Sequence, residues 1–162
     1  MNESIHCYEY VNRSYEDVSA ALTHDAVGIF ERATVSATGR AESLVSSLKV
    51  SALGLEVGKN VVIRVVQIDR DAHPPGHVAS RATRLELEWH AETNAALFPS
   101  MRAELLVYPL SATETQLDMR GTYEPPGGVL GTAADKLVGR RIAQASVHRF
   151  LKEIASRLSE EL

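Results

Sequence analysis

At 162 residues the chain has the length of one domain, residues 1–162, and a domain of this size buries about 70% of the surface its unfolded form exposes. Its 44% hydrophobic and 23% charged residues suit a soluble globular protein. The net charge of −4 speaks against a nucleic-acid partner, because counterion release needs a basic surface. The lone cysteine, Cys7, excludes an internal disulfide, and its alternating surroundings mark it as a buried strand residue. No apolar stretch approaches the length of a membrane span. Met1-Asn-Glu-Ser4 lacks the basic and apolar segments of a secretory signal, so a cytoplasmic location is expected.

In chain order, Ile5–Val11 is a short run of β type. Ser14 offers an N-cap, with Asp17 at the third position after it. Val18, Leu22, Ala26, Ile29 or Phe30 and Ala33 then recur at helical spacing, as one helix kinked near Gly28 or as two shorter ones. Residues 34–43 carry no readable pattern. From Ser46 the period becomes two. Leu48, Val50 and Ala52 alternate with polar residues, Gly58-Lys-Asn60 forms a turn, and Val61–Ile68 completes a hairpin. Asp69–His77 is rich in turn formers and reads as an exposed connection.

Three strands of clean alternation follow. Leu85, Leu87, Trp89 and Ala91 share one face, as do Met101, Ala103, Leu105 and Val107, then Leu117, Met119, Gly121 and Tyr123. The opposite face carries Arg84, Glu86, Glu88, His90, Arg102, Glu104, Gln116, Asp118 and Arg120, a solvated surface of mixed sign. From about Gly131 to Leu158 no proline occurs and Gly139 is the single interruption. That stretch predicts a helix of roughly 40 Å. Its apolar set, Leu137, Val138, Ile142, Ala145, Val147, Phe150, Leu151, Ile154 and Leu158, is broad enough to lie against a concave sheet.

Few constellations carry chemistry. His73 and His77 are four apart beside Asp69 and Asp71, but Pro74-Pro75-Gly76 separates them and denies the pair a helix, so no metal site is expected. His148 reads as a partly exposed helix residue. Gly-x-Ser-x-Gly elbows and phosphate-binding glycine loops are absent, and Gly128 and Gly131 read as a turn before a helix. The inward strand faces supply no carboxylate or histidine to act as acid or base, so an enzyme is not favoured. No cofactor is expected. What stands out is an apolar inward wall of Leu87, Trp89, Met101, Leu105, Leu117 and Met119, interrupted by small Ala91, Ala103 and Gly121. The small residues mean either close helix packing or space for a ligand.

The segment Gly121-x-Tyr-x-Pro-Pro-x-Gly-x-x-Gly-x-x-x-Asp135, with Arg140-Arg141 and Phe150-Leu151 downstream, resembles the closing section of the START-like (SRPBCC) superfamily. Element order resembles it over nearly the whole chain. Two departures stand out: Val18-Ser19 replaces the usual Val-Trp, and the tryptophan-containing stretch between Asp25 and Ser43 is missing. The resemblance implies an α+β helix-grip fold, a curved antiparallel sheet of six or seven strands wrapped around a long C-terminal helix. It also implies a cavity between sheet and helix for a small hydrophobic molecule (a lipid, isoprenoid or polyketide-like compound). Tyr123, and Arg141 from the helix, would anchor a polar group of that ligand, although Tyr123 equally suits a core tyrosine. A polyketide cyclase or dehydratase activity is the alternative the family implies. A regulatory module with a protein partner, or a homodimer, stays open beside it.

Overall fold

The computed structural model describes residues 3–47, 61–74, 76, 80–91, 100–124 and 133–162. Strand β1 (Glu3–Val11) leads into helix α1 (Tyr15–Ser47). Strands β2 (Val61–Ala72), β3 (Ala82–Ala91), β4 (Ser100–Ser111) and β5 (Glu114–Glu124) follow, and helix α2 (Ala133–Glu161) closes the chain. All neighbouring strands are antiparallel, in the order β1-β5-β4-β3-β2. The described strands number five, not the six or seven expected. The Leu48–Ala52 segment, read as a further strand, lies outside the described residues.

Helix α1 starts where Ser14 predicts it. The Ser14 hydroxyl donates to Asp17 Oδ2 at 2.8 Å, and Asp17 N donates to Ser14 Oγ at 3.2 Å. This occupies one of the free N–H groups of the first turn. The kink sits at Asp25, whose φ of −141° and ψ of 45° leave the helical region. Asp25 caps the following turn by accepting from Gly28 N at 3.2 Å. A Cβ on Gly28 would lie 2.5 Å from that carboxylate, so the cap explains the glycine. The helix then runs through the unpatterned residues 34–43 to Ser47, taking in Ser46, from which a strand period had been expected.

Strand β2 is longer than its sequence pattern. Asp69–Ala72 belongs to it rather than to an exposed connection, with register shifts at Val65/Gln67 and Asp69/Ala72. Arg84 Nη2 meets Asp69 Oδ2 at 3.1 Å across the pair, so the polar residues serve as cross-strand partners instead of a turn. The irregularities bend this edge strand and turn its side chains without ending its pairing.

The two helices share the concave face of the sheet. Helix α2 packs against α1 and along β1, and α1 reaches β2. Phe30 and Phe150 mark the helix–helix contact, their rings 5.8 Å apart and tilted by 55°. Val18, Leu22, Phe30, Leu85, Leu105, Leu117, Phe150, Leu151 and Ile154 belong to one buried cluster, which joins both helices to β3, β4 and β5. Of the helix stripe named from the sequence, Val147, Phe150, Leu151, Ile154 and Leu158 are all buried.

The outer face is not uniformly solvated. Leu106 is buried there with Ala72 and Ala82, and half-buried Tyr108 packs on them. Asp118, read as a solvated charge, is 5% exposed. Its Oδ1 accepts from His6 Nε2 at 2.8 Å and from Arg120 Nε at 3.3 Å, so the buried carboxylate is paired twice. The bonded carboxylate raises the Arg120 pKa, and burial followed by the Asp118 charge raises that of Tyr108.

Candidate functional site

The strand registers arrange the concave face in rows. Ile63, Trp89, Met101, Tyr123 and Glu3 are successive partners in the first row, so three of the residues singled out from the sequence stand side by side. Val65, Leu87, Ala103, Gly121 and Ile5 form the second row. Ile68, Leu85, Leu105, Met119 and Cys7 form the third. Thr83, Val107, Leu117 and Glu9 make the fourth. Partners across an antiparallel pair project from the same face, so the rows state which side chains are neighbours.

Packing differs between rows. In the third, Leu85, Leu105 and Met119 have 0% exposure, and so does Leu117 in the fourth. No water-sized void touches these four side chains. Leu87 and Met101 are buried but not sealed, at 3% and 4%. The second row has its two smallest members, Ala103 and Gly121, opposite each other at its centre. A Cβ on Gly121 would come within 2.8 Å of the Arg102 carbonyl oxygen and 3.1 Å of Ala103 Cβ. The backbones therefore approach more closely there than two substituted residues permit, as where a sheet bends toward its concave side.

Trp89 and Tyr123 occupy the first row by register, and Arg141 lies within α2, but the side chains of all three are outside the described set. Residues 125–132, which hold most of the glycine and proline positions of the Gly121–Asp135 segment, lie outside it too.

The expectation that inward strand faces carry no carboxylate is corrected by Glu9. It pairs with Leu117 and so projects from the concave face of β1, where its Oε1 meets His148 Nε2 at 3.1 Å. His148 is an exposed helix residue, as read, and its bond ties α2 to the edge strand. Cys7 projects from the same face and is half-buried. Burial, with the Asp118 and Glu9 charges behind it, raises its thiol to about 12, so it is not a nucleophile near neutral pH. His73 Nδ1 donates to the Ser80 carbonyl at 3.0 Å, and His77 lies outside the described residues. Among the described residues no cluster of three or more histidine, cysteine or acidic side chains is placed to hold a metal ion.

Sequence reasoning missed a buried chain of hydroxyls at the opposite end of the face. Tyr15 Oη and Thr83 Oγ1 are 2.9 Å apart, and Ser19 Oγ and Thr83 Oγ1 are 2.6 Å apart. The available signals were the spacing of Tyr15 and Ser19 by one helical turn and the inward parity of Thr83 on β3.

No family model matches this chain, and no curated protein matches it. Solved structures do. The Zhui aromatase/cyclase from Streptomyces sp. R1128 is similar over 99% of this chain and 96% of its own, at 10% identity and a TM-score of 0.48. Norcoclaurine synthase from Thalictrum flavum, in complex with dopamine and hydroxybenzaldehyde, covers 100% of this chain and 89% of its own, at 13% identity and a TM-score of 0.46. A START superfamily protein from Mycobacterium smegmatis covers all of both chains at 10% identity and a TM-score of 0.42. None of the described helices is long and apolar enough to cross a membrane. The architecture itself, an antiparallel sheet with a long C-terminal helix on its concave side, is that of a helix-grip fold.

Proposed function

We propose that this chain binds a small hydrophobic molecule (a lipid, isoprenoid or polyketide-like compound) on the concave face, over its first two rows. The observation that carries the reading is the Ala103–Gly121 notch beside Leu87 and Met101, set against the sealed third row. The two smallest inward residues face each other there, whereas the side chains of the third row fill the face completely. Trp89 and Met101 border the notch, Leu105 and Met119 form its floor, and Leu117 packs beneath them. Tyr123 and Arg141 serve as the polar anchors for a head group, the division of labour common in such pockets. Each methylene that leaves water contributes about 0.8 kcal/mol, so a micromolar ligand, at about 8 kcal/mol, needs roughly ten of them even before the costs of association are subtracted.

Binding without chemistry is preferred to a cyclase-type reaction. Glu9 stands in the fourth row and is engaged by His148, away from the notch, and Glu3, the one acidic residue whose register places it in the first row, sits at the end of edge strand β1. A proton-transfer role requires an acid or base within hydrogen-bond reach of the reacting atom.

The test combines native mass spectrometry for a co-purifying molecule with titration of Trp89 fluorescence by fatty acids, isoprenoids and aromatic polyketides. Trp89 is the only tryptophan of the chain, so the signal has one source. A saturable change is expected, and Ala103→Leu should abolish it by filling the notch while the circular dichroism spectrum is retained. No bound mass and no fluorescence response to any of the compounds would remove the carrier reading and leave a protein-partner module in front.

A further inference from the structure

Where the first two turns of α1 meet the end of β2 and the start of β3, a cleft of about 430 Å³ opens to solvent. Its lining includes Tyr15, Glu16, Ser19, Arg70, Asp71 and Arg81. Thr83 lies about six residues along β3 from Trp89, so the cleft and the proposed apolar site are roughly 20 Å apart, with the sealed third row between them.

Two observations single it out. The first is a count of protons. Tyr15, Thr83 and Ser19 carry one hydroxyl hydrogen each, and only two hydrogen bonds join them. Whichever way the bonds run, one hydroxyl hydrogen has no acceptor among the described residues. When Thr83 donates one of the two bonds, the surplus hydrogen is on Tyr15 or Ser19, which line the cleft and are only 6% and 7% exposed; when Thr83 accepts both, it is on Thr83 behind them. A buried donor without an acceptor is costly, and a ligand oxygen would satisfy it. The second observation is charge. Arg70 and Arg81 form no ion pair with any described residue, although Glu16 and Asp71 line the same cleft.

We propose that this cleft is a separate binding site for a small zwitterion, a molecule with a carboxylate or phosphate group beside a cationic group. Arg70 and Arg81 take the oxyanion, the donor geometry for which guanidinium is best suited, and the surplus hydroxyl orients it. Glu16 and Asp71 take the cation. The four charges sum to zero, so a bare anion gains little from the field of the cleft, and a ligand of both signs gains from each half.

The experiment is an amide NMR titration of the full chain at low ionic strength with four probes: acetate, an α-amino acid, inorganic phosphate and phosphoethanolamine. The carboxylate and phosphate arms distinguish the two sources of the oxyanion. Saturable shifts at Ser19 and Thr83 are expected with one or both zwitterions, at lower concentration than with the matching bare anion. Arg70→Gln or Arg81→Gln should weaken that binding roughly tenfold, and Ser19→Ala several-fold with no change of charge. Both arginines are exposed and form no ion pair among the described residues, so these variants should melt as the parent does, and Arg→Lys should recover part of the affinity. No saturable shift with any probe overturns the site. So does binding that is indifferent to both arginine substitutions, and equal affinity for acetate and the amino acid overturns the zwitterion assignment. Trp89 fluorescence plays no part in this readout, so the apolar reading stands or falls separately.

Discussion

Replacing Gly121 by alanine tests whether the sheet bends where the second row is smallest. Two effects act with opposite sign. In the unfolded chain alanine has fewer conformations than glycine, which alone would stabilise the fold by about 0.4–1 kcal/mol. In the folded chain the new Cβ would stand 2.8 Å from the Arg102 carbonyl oxygen and 3.1 Å from Ala103 Cβ. The first neighbour is backbone in the middle of the β4–β5 ladder, and it cannot swing aside as a side-chain tip can. Relief requires the two strands to part locally. Overpacking of this kind costs about 1–3 kcal/mol, which exceeds the entropic gain. In urea the midpoint should fall at unchanged slope, and with the entropic gain subtracted thermal unfolding should come earlier by up to about 10 °C. Ala103→Gly removes the 3.1 Å contact but leaves the carbonyl, so in the double variant the two losses should sum to more than the measured total. A midpoint that rises in Gly121→Ala would show that the entropic term wins and that the backbones are not held close. The notch would then be an accident of side-chain size.

Three further perturbations address other parts of the fold. Leu151→Ala, at a fully buried position where α2 meets the core, should cost about 2–5 kcal/mol in urea unfolding, and an unchanged midpoint would place the residue outside that contact. Asp25→Ala removes the cap at the kink of α1 and should cost about 0.5–2 kcal/mol, read by thermal melting; no loss would mean that packing alone sets the bend. Cys7 should resist thiol reagents at pH 8 until the protein unfolds, and since its folded pKa of about 12 lies above the ordinary thiol value of 9.0, its contribution is complete below pH 9 and is lost as pH rises toward 12. Rapid labelling of the native protein, or alkaline stability identical in Cys7→Ser, would contradict that environment.

The central strands were legible because each has one buried and one wet face, and a period of two survives in the residue types. In β3, β4 and β5 the inward residues read from the sequence are buried wherever side chains are described, apart from half-buried Gly121, although Leu106 and Asp118 are buried on the outer face as well. Elements whose faces do not differ in this way were not. The outward side of β1 is His6, Tyr8 and Tyr10, and its inward side includes Glu9, so alternation there carries no polarity signal. Glu9 and Asp118 are tolerated where they lie because His148 and His6 approach from 139 and 112 residues away in the chain. No local rule registers a partner that distant. Thr34–Ser43 is a similar case. Its serines, threonines and glycine are poor helix formers, yet the backbone continues as helix to Ser47. Propensity lost to its place in α1.

The sealed third row also limits what the proposed apolar site can hold. A ligand entering over Trp89 and Tyr123 passes the Ala103–Gly121 notch and meets Leu85, Leu105 and Met119, against which no water-sized void remains. From the first row to the third is about four residues of strand, or roughly 13 Å. Deeper entry would have to displace side chains that belong to the common core of both helices, at a cost comparable to the overpacking that Gly121→Ala imposes. The depth therefore favours a compact ring system or a short chain over a long acyl chain lying along α2. For the same reason Met119→Trp should act on stability before it acts on affinity, whereas Ala103→Leu should act on affinity first. If a long-chain fatty acid instead binds tightest, and Met119→Trp blocks it without lowering the melting temperature, the third row yields to a ligand and the face is one continuous site.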